Sequence, residues 1–150
     1  MAAKLLQMVS TVNGYSGLFY PFLDVKAAHH GASHDDKSES YERVTRFYVS
    51  QLAYLASRLD AMPEGEGTVL DSTCLLFLNS MFSGTRHDAS RLPVVLAGGL
   101  GGALETGRVL DYRGEGDDRR KLCGMYLGIM DRMGVKLDRF GDADERLVGF

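Results

Sequence analysis

Two runs of consecutive apolar residues stand out in the middle of the chain. They are Cys74–Leu78 and Leu92–Ala97, and neither alternates apolar with polar residues as a half-exposed strand does. Continuous runs of this length are typical of strands buried on both faces of a parallel sheet. A polar loop carrying His87 and Asp88 lies between them. Loops at the carboxyl ends of strands form the ligand crevice of open α/β sheets, so this loop is where we expect chemistry.

A long amphipathic helix is predicted ahead of these two strands. Asp36 and Glu39 have the spacing of a capping box at its start, and Pro63 marks its end. Between them, apolar residues recur every three or four positions and form one stripe along about six turns: Tyr41, Val44, Tyr48, Leu52, Leu55, Leu59 and Met62.

A second amphipathic helix is predicted over Asp118–Met133, with Gly134 as its C-terminal stop. Residues Arg108–Tyr112 are predicted to form a short strand. The order helix, strand, strand, short strand, helix indicates an α/β fold. Two or three strands make a small sheet for two helices, so residues 1–150 are interpreted as a single partial domain of a larger sheet.

Composition and charge narrow the class of protein. The 150 residues are 45% hydrophobic and 25% charged, as in an ordinary globular domain. The net charge of −3 gives no electrostatic reason to expect a nucleic acid or an anionic membrane as partner. No run reaches the roughly 18 apolar residues of a membrane span, and the N-terminus is a poor signal peptide. From these features alone the expected location is cytoplasmic.

The histidines form the first candidate site. His30 and His34 are separated by three residues, a spacing found where two metal ligands come from one turn of chain. Gly31 between them argues against a regular helix, so we expect them on a loop. Imidazole and carboxylate groups suit zinc or a similar divalent ion, and further ligands are available in Asp35, Asp36, His87 and Asp88. The alternative is a solvated polar helix entry whose histidines are hydrogen-bonded.

Two further patterns are weaker. Gly102–Val109 has the glycine spacing of a Walker A loop, but Arg108 and Val109 replace its lysine and its serine or threonine. We therefore expect these glycines to allow sharp turns beside the sheet. Ser33 and Ser83 lie near histidines in sequence, yet the chain has no Gly-x-Ser-x-Gly elbow, which disfavours a serine hydrolase.

Several short motifs follow one another along residues 20–150. The first is His30-Gly-Ala-Ser-His34-Asp35. The later ones are Leu59–Gly67, Thr68–Ser72, His87, Leu92–Gly99, Gly107-Arg108, Met133–Val135 and Phe140–Asp142. In this order they resemble the bacterial HXXSHH family, a family of unknown function. Its members carry a longer N-terminal part with an export signal, so the resemblance implies a C-terminal portion of a periplasmic or exported protein, with residues 1–19 as a lead-in.

The HXXSHH family is similar in layout to the alkaline phosphatase and sulfatase superfamily. That similarity implies a three-layer α/β fold, of which this chain would hold the C-terminal portion, with a two-metal site at the carboxyl ends of the strands. His30, His34 and His87 would occupy the ligand positions of one metal. The Asp-His pair that helps bind the second metal is replaced here by Asn79-Ser80-Met81, and Asp35 replaces the last histidine of the signature.

The resemblance therefore implies one divalent ion, either zinc, manganese or calcium, bound by His30, His34 and His87. The implied activity is hydrolysis of a phosphate or sulfate ester, on a small molecule or a polymer, in the full-length parent. Two alternatives stay open. The chain could be a non-catalytic binding or structural protein, or a truncated fragment without independent activity. The sequence contains no signal for an oligomeric state.

Overall fold

The computed structural model describes residues 18–35 and 37–150 and shows a mixed α and β protein with small antiparallel sheets. The chain divides into two compact units. The first contains the described residues up to Val69 together with residues 75–97, and the second contains residues 70–74 and 98–150. No helix among the described residues is both long enough and apolar enough to cross a membrane.

The first unit contains two helices and two small sheets. A 3-10 turn at Pro21–Leu23 comes first. The regular elements after it are α1 (His29–Ser33), α2 (Glu39–Asp60), β1 (Pro63–Glu64), β2 (Gly67–Thr68), β3 (Leu75–Leu78) and β4 (Val94–Ala97). A short helix, Val69–Ser72, precedes β3 in the chain, and all of it except Val69 belongs to the second unit. β1 and β2 form an antiparallel hairpin whose turn contains Gly65 at φ +61°.

The core of the first unit joins α1 to α2. Tyr20, Val25, Ala32 and Val44 are its fully buried members, and partly buried apolar side chains surround them. Ala32 comes from α1 and Val44 from the predicted apolar stripe of α2. This packing fixes the short α1 against the long helix, which matters because α1 contains His29 and His30 and has His34 as its C-cap.

The predicted long helix is confirmed, and its end before Pro63 is confirmed with it. Its N-cap is Ser38, whose Oγ accepts a hydrogen bond from the Ser40 backbone N–H at 3.1 Å. The cap predicted at Asp36 falls on a residue outside the described part of the chain. The far end of the stripe is less buried than expected, because Met62 is 48% exposed.

The two central strands exist where the apolar runs predict them, but the prediction of a parallel, fully buried pair is wrong. β3 and β4 are antiparallel, in a register that pairs Leu75 with Ala97 and Leu78 with Val94. Their residues are partly buried, and Val95 is 45% exposed. The run of apolar residues does not encode strand direction, and residues 79–93 fold back on themselves so that β4 returns beside β3.

The second unit is built on α3, a helix from Leu122 to Arg132. Met125, Leu127 and Ala143 are its buried apolar residues. The helix begins later than predicted, because the residues around Asp118 form a 3-10 turn. The predicted stop is confirmed: Gly134 follows the helix at φ +81°, in the left-handed conformation that glycine adopts without strain.

The short strand predicted at Arg108–Tyr112 is wrong, since these residues have no regular structure. Their side chains bind backbone carbonyl groups of the last residues of the chain instead. The prediction that the glycine-rich stretch makes sharp turns is confirmed. Gly102 has φ +84° and Gly107 has φ +70°, left-handed conformations that glycine adopts without strain.

Candidate functional site

His30 and His34 lie on one face of α1. His30 is inside the helical turn and His34 is its C-cap, so they are four positions apart, and their ring centroids are 4.6 Å apart. The prediction that Gly31 would keep them on a loop is wrong. The helix runs through Gly31 because the neighbouring Ala32 is buried in the core, and tertiary packing outweighs the low helix propensity of glycine.

The loop that carries His87 is closed by hydrogen bonds between Ser83 and Asp88. The Asp88 N–H donates to the Ser83 carbonyl at 3.0 Å, and the Ser83 N–H donates to the Asp88 carbonyl at 3.3 Å. Inside this ring the His87 N–H donates to the Gly84 carbonyl at 3.2 Å. His87 has φ +50°, a left-handed conformation that is uncommon outside glycine. The loop therefore fixes the backbone from which the His87 side chain projects.

The same loop is seated directly on the end of α1. A Cβ added to Gly84 would lie 2.2 Å from the Ser33 carbonyl oxygen, so the two backbones approach more closely than any side chain permits. Thr85 Oγ1 donates a hydrogen bond to the His34 carbonyl at 2.9 Å. Gly84 and Thr85 thus join segments that are about 50 residues apart in sequence.

This seating brings all three predicted histidines into a row. His87 Nε2 lies 3.3 Å from His34 Nε2, and the two rings are 4.9 Å apart and nearly perpendicular. The ring of His30 also contacts that of His34. Such a pair of nitrogens either shares a proton in a hydrogen bond or points two lone pairs at one ion. Tetrahedral zinc with Zn–N bonds of 2.0–2.1 Å places two ligand nitrogens about 3.3–3.4 Å apart.

The carboxylates predicted as further ligands do not join this row. Asp88 accepts hydrogen bonds from the Ser90 N–H at 2.8 Å and the Ser90 hydroxyl at 2.6 Å, and these bonds lower the pKa of the Asp88 carboxyl. Asp35 accepts from the Lys37 N–H at 3.2 Å. Asp36 is outside the described residues. Among the residues that are described, no three His, Cys, Asp or Glu side chains are grouped closely enough to hold an ion as they stand.

The fourth histidine anchors α1 from its other side. His29 Nδ1 lies 2.8 Å from the Tyr20 hydroxyl, which is also 3.0 Å from the Tyr48 hydroxyl. Burial, followed by the charge of His30, lowers the pKa of His29. α1 thus directs one histidine at the core and two at the surface. The sequence alone does not distinguish the position of His29 from those of His30 and His34.

Gly84 and Thr85 are the site residues that sequence reasoning missed. The only signal available for them was that Ser83-Gly84-Thr85 is a run of small residues in the same polar loop as His87. Small residues in loops are common, and nothing in the sequence indicates that this run meets Ser33 and His34. Their role depends on a contact between distant segments.

The two weaker patterns carry no site. Ser33 Oγ donates to the His30 carbonyl at 2.8 Å, and Ser83 Oγ accepts from the Arg86 N–H at 3.3 Å, so neither serine is paired with an imidazole. In the glycine-rich loop, the backbone N–H groups of residues 99–104 all donate to backbone carbonyls. Arg108 forms an ion pair with Glu105 at 3.2 Å. A phosphate would find no free donors along residues 99–104.

The chain matches no protein-family model, no curated protein and no solved structure. The relationship to HXXSHH proteins stays a prediction. The functional argument below therefore depends on the geometry of His34, His87 and the residues that position them.

Proposed function

We propose that this protein binds one divalent metal ion through His34 and His87, with His30 as the third imidazole of the site. The observation that carries the proposal is the 3.3 Å separation of the two Nε2 atoms, which equals the ligand spacing of tetrahedral zinc. A set of imidazole nitrogens favours zinc over manganese or calcium, which prefer oxygen ligands. Zinc is accordingly the first candidate among the three ions.

The surroundings of the histidines support an accessible site. His30 and His87 are exposed and His34 is partly buried, so a bound ion would keep a side open to solvent and to a ligand. An open coordination position is the feature that separates catalytic from structural zinc sites. Gly84 and Thr85 position the His87 loop, while Ala32 holds α1 in the core. These residues place His34 and His87 at ligand spacing before any ion arrives, and His30 would complete the site by a movement of its side chain.

The reaction that we propose for such an ion is hydrolysis of a phosphate or sulfate ester, in an HXXSHH protein of the alkaline-phosphatase-like, three-layer type. A bound zinc would act as a Lewis acid on an ester oxygen. Within this proposal His30, His34 and His87 are the metal ligands.

A non-catalytic metal-binding protein is the second candidate. It is favoured because the polar side chains next to the histidines already have partners within the protein. Ser33 donates a hydrogen bond to a backbone carbonyl, and Asp88 accepts one from Ser90 and lies 3.7 Å from Arg91. In this case the ion would serve to fasten the His87 loop to α1.

Zinc titration calorimetry on protein purified without chelator tests the metal site. We expect one zinc per chain, and a loss of affinity of more than about 100-fold in H34A and in H87A, because even outer partners of metal ligands contribute 10- to 100-fold. H30A should weaken binding less. The matched control is R86A, which changes the exposed neighbour of His87 and should bind zinc as the native protein does.

Two results would contradict the metal site: native protein that binds no zinc, or H34A and H87A variants that bind it like the native protein. The reaction is tested separately, with aryl phosphates and aryl sulfates and zinc-loaded protein. Turnover that disappears in H34A while far-UV circular dichroism is unchanged supports the hydrolase. Zinc binding without turnover supports the second candidate.

A further inference from the structure

The last six residues of the second unit, Glu145–Phe150, lie across α3 at two glycines one turn apart. The Leu147 N–H donates to the Gly124 carbonyl at 3.2 Å. A Cβ at Gly124 would lie 2.9 Å from the Glu145 carbonyl oxygen, and one at Gly128 would lie 2.7 Å from Cδ1 of Phe150. Gly124 and Gly128 therefore form a groove in the helix surface that this segment fills, together with Arg132 Nη1 beside Gly128.

Three side chains bind the main chain of the segment in succession. The Tyr112 hydroxyl donates to the Val148 carbonyl at 2.6 Å, and Arg108 Nη1 donates to the Gly149 carbonyl at 2.7 Å. Arg132 Nη2 donates to the Phe150 carbonyl at 2.7 Å. Because each bond ends on a backbone oxygen, this recognition is largely independent of the side chains that the bound segment carries.

Selectivity comes from the final two positions. The Arg132 guanidinium lies 5.0 Å from the centroid of the Phe150 ring, within the range of a cation–π contact. Gly149 has φ +74°, which a residue with a side chain rarely adopts. The groove therefore fits an aromatic residue preceded by glycine.

The segment does not fill all the space beside it. A cleft of about 240 Å³ lies next to Val148, lined by Leu110, Asp111, Tyr112, Glu115, Arg119 and Val148. The Val148 side chain itself is 60% exposed. A longer or bulkier residue at this position would have room that valine leaves open.

We propose that Arg108, Tyr112, Gly124, Gly128 and Arg132 form a peptide-binding groove, and that residues 145–150 are its resident ligand. The ligand class is a short peptide that turns at a glycine and carries an aromatic residue directly after it. Such a peptide from another molecule competes with the resident segment, whose attachment to the same chain gives it a high effective concentration. The groove is independent of the histidine site.

Fluorescence polarisation with a labelled Glu-Arg-Leu-Val-Gly-Phe peptide tests the groove. The full chain carrying F150A, whose resident segment has lost its aromatic anchor, should bind the peptide saturably. Native protein should bind at least about tenfold more weakly, since its own Phe150 competes. The control G128L, placed in the F150A chain, fills the aromatic position and should abolish binding. A peptide with alanine in place of phenylalanine should not bind.

Absence of binding by an F150A chain with native far-UV circular dichroism would overturn the proposal, as would equal binding by the G128L control. Hydrogen exchange on the native protein keeps the test valid if F150A does not fold. An excess of the peptide should then speed exchange at the Phe150 amide, whose N–H donates to the Leu147 carbonyl at 3.3 Å. Unchanged protection there would refute the proposal.

Discussion

Replacing Gly84 with alanine is the sharpest test of how the histidine site is assembled. The added Cβ would stand 2.2 Å from the Ser33 carbonyl oxygen and 2.8 Å from the Ser33 carbonyl carbon. Ordinary contact for such a pair begins near 3.4 Å, so the loop must retreat by about 3.4 − 2.2 = 1.2 Å. Both obstructing atoms belong to backbone, which cannot turn aside as a flexible side chain would.

The retreat has two costs that can be estimated. Overpacking of a tight contact costs roughly 1–3 kcal/mol of unfolding free energy. The hydrogen bond of 2.9 Å from Thr85 to the His34 carbonyl would stretch past bonding distance. Its loss should lower the unfolding free energy by a further ~1 kcal/mol. The same displacement separates His87 Nε2 from His34 Nε2, so zinc affinity should fall by at least about tenfold, or 1.4 kcal/mol.

Urea denaturation followed by circular dichroism, together with zinc calorimetry, measures both effects. G31A is the matched control, because it adds the same methyl group between His30 and His34, where the nearest atom is Ala27 Cβ at 3.9 Å. G31A should be as stable as the native protein, or more stable by up to about 1 kcal/mol. A G84A protein with native stability and native zinc affinity would refute the seating of the loop on α1.

Three further outcomes follow from burial, capping and ionisation. L127A truncates a side chain that is 0% exposed and should lower the unfolding free energy by about 2–5 kcal/mol in urea denaturation. The control V109A, at a residue that is 93% exposed, should change it by no more than about 0.5 kcal/mol. Equal effects of the two substitutions would contradict the described core. S38A removes the cap of α2 and should cost about 1 kcal/mol, measured by the same method; an unchanged midpoint would argue against that cap. Burial raises the pKa of Tyr20 above its ordinary value of 10.0, so the folded state favours the protonated phenol; stability should be intact below about pH 10 and fall as the pH rises further. Y20F should flatten this alkaline loss, and a native protein whose urea midpoint is constant up to about pH 11 would show that Tyr20 is not buried in this way.

The periodic features of the sequence predicted the fold best. The stripe that begins at Tyr41 and Val44 specifies a helix because intervals of three and four place apolar residues on one face. The two apolar runs specify strands but not their direction, because a run without alternation is compatible with either pairing. The start of α3 was less accurate than the helix ends, since the first turn of this helix is replaced by 3-10 geometry.

The candidate site could be predicted as a set of residues but not as a geometry. Residue type and spacing predicted that His30 and His34 lie together. They are in contact because residues four positions apart lie on the same face of a helical turn. His87 meets them through the approach of Gly84 to Ser33. No local pattern encodes such an approach, because it results from packing between segments far apart in the chain. The prediction that Gly31 lies on a loop was also wrong because of tertiary packing, since the neighbouring Ala32 is buried in the core.

The hairpin formed by β3 and β4 has a consequence for how this site can change. Leu78 and Val94 are directly paired, so residues 79–93 leave the sheet and re-enter it at neighbouring positions about 5 Å apart. A two-residue turn spans such a gap. The pairing of β3 with β4 therefore does not depend on the length of residues 79–93, and the contacts of Gly84 and Thr85 with α1 are what hold the His87 loop in its present form.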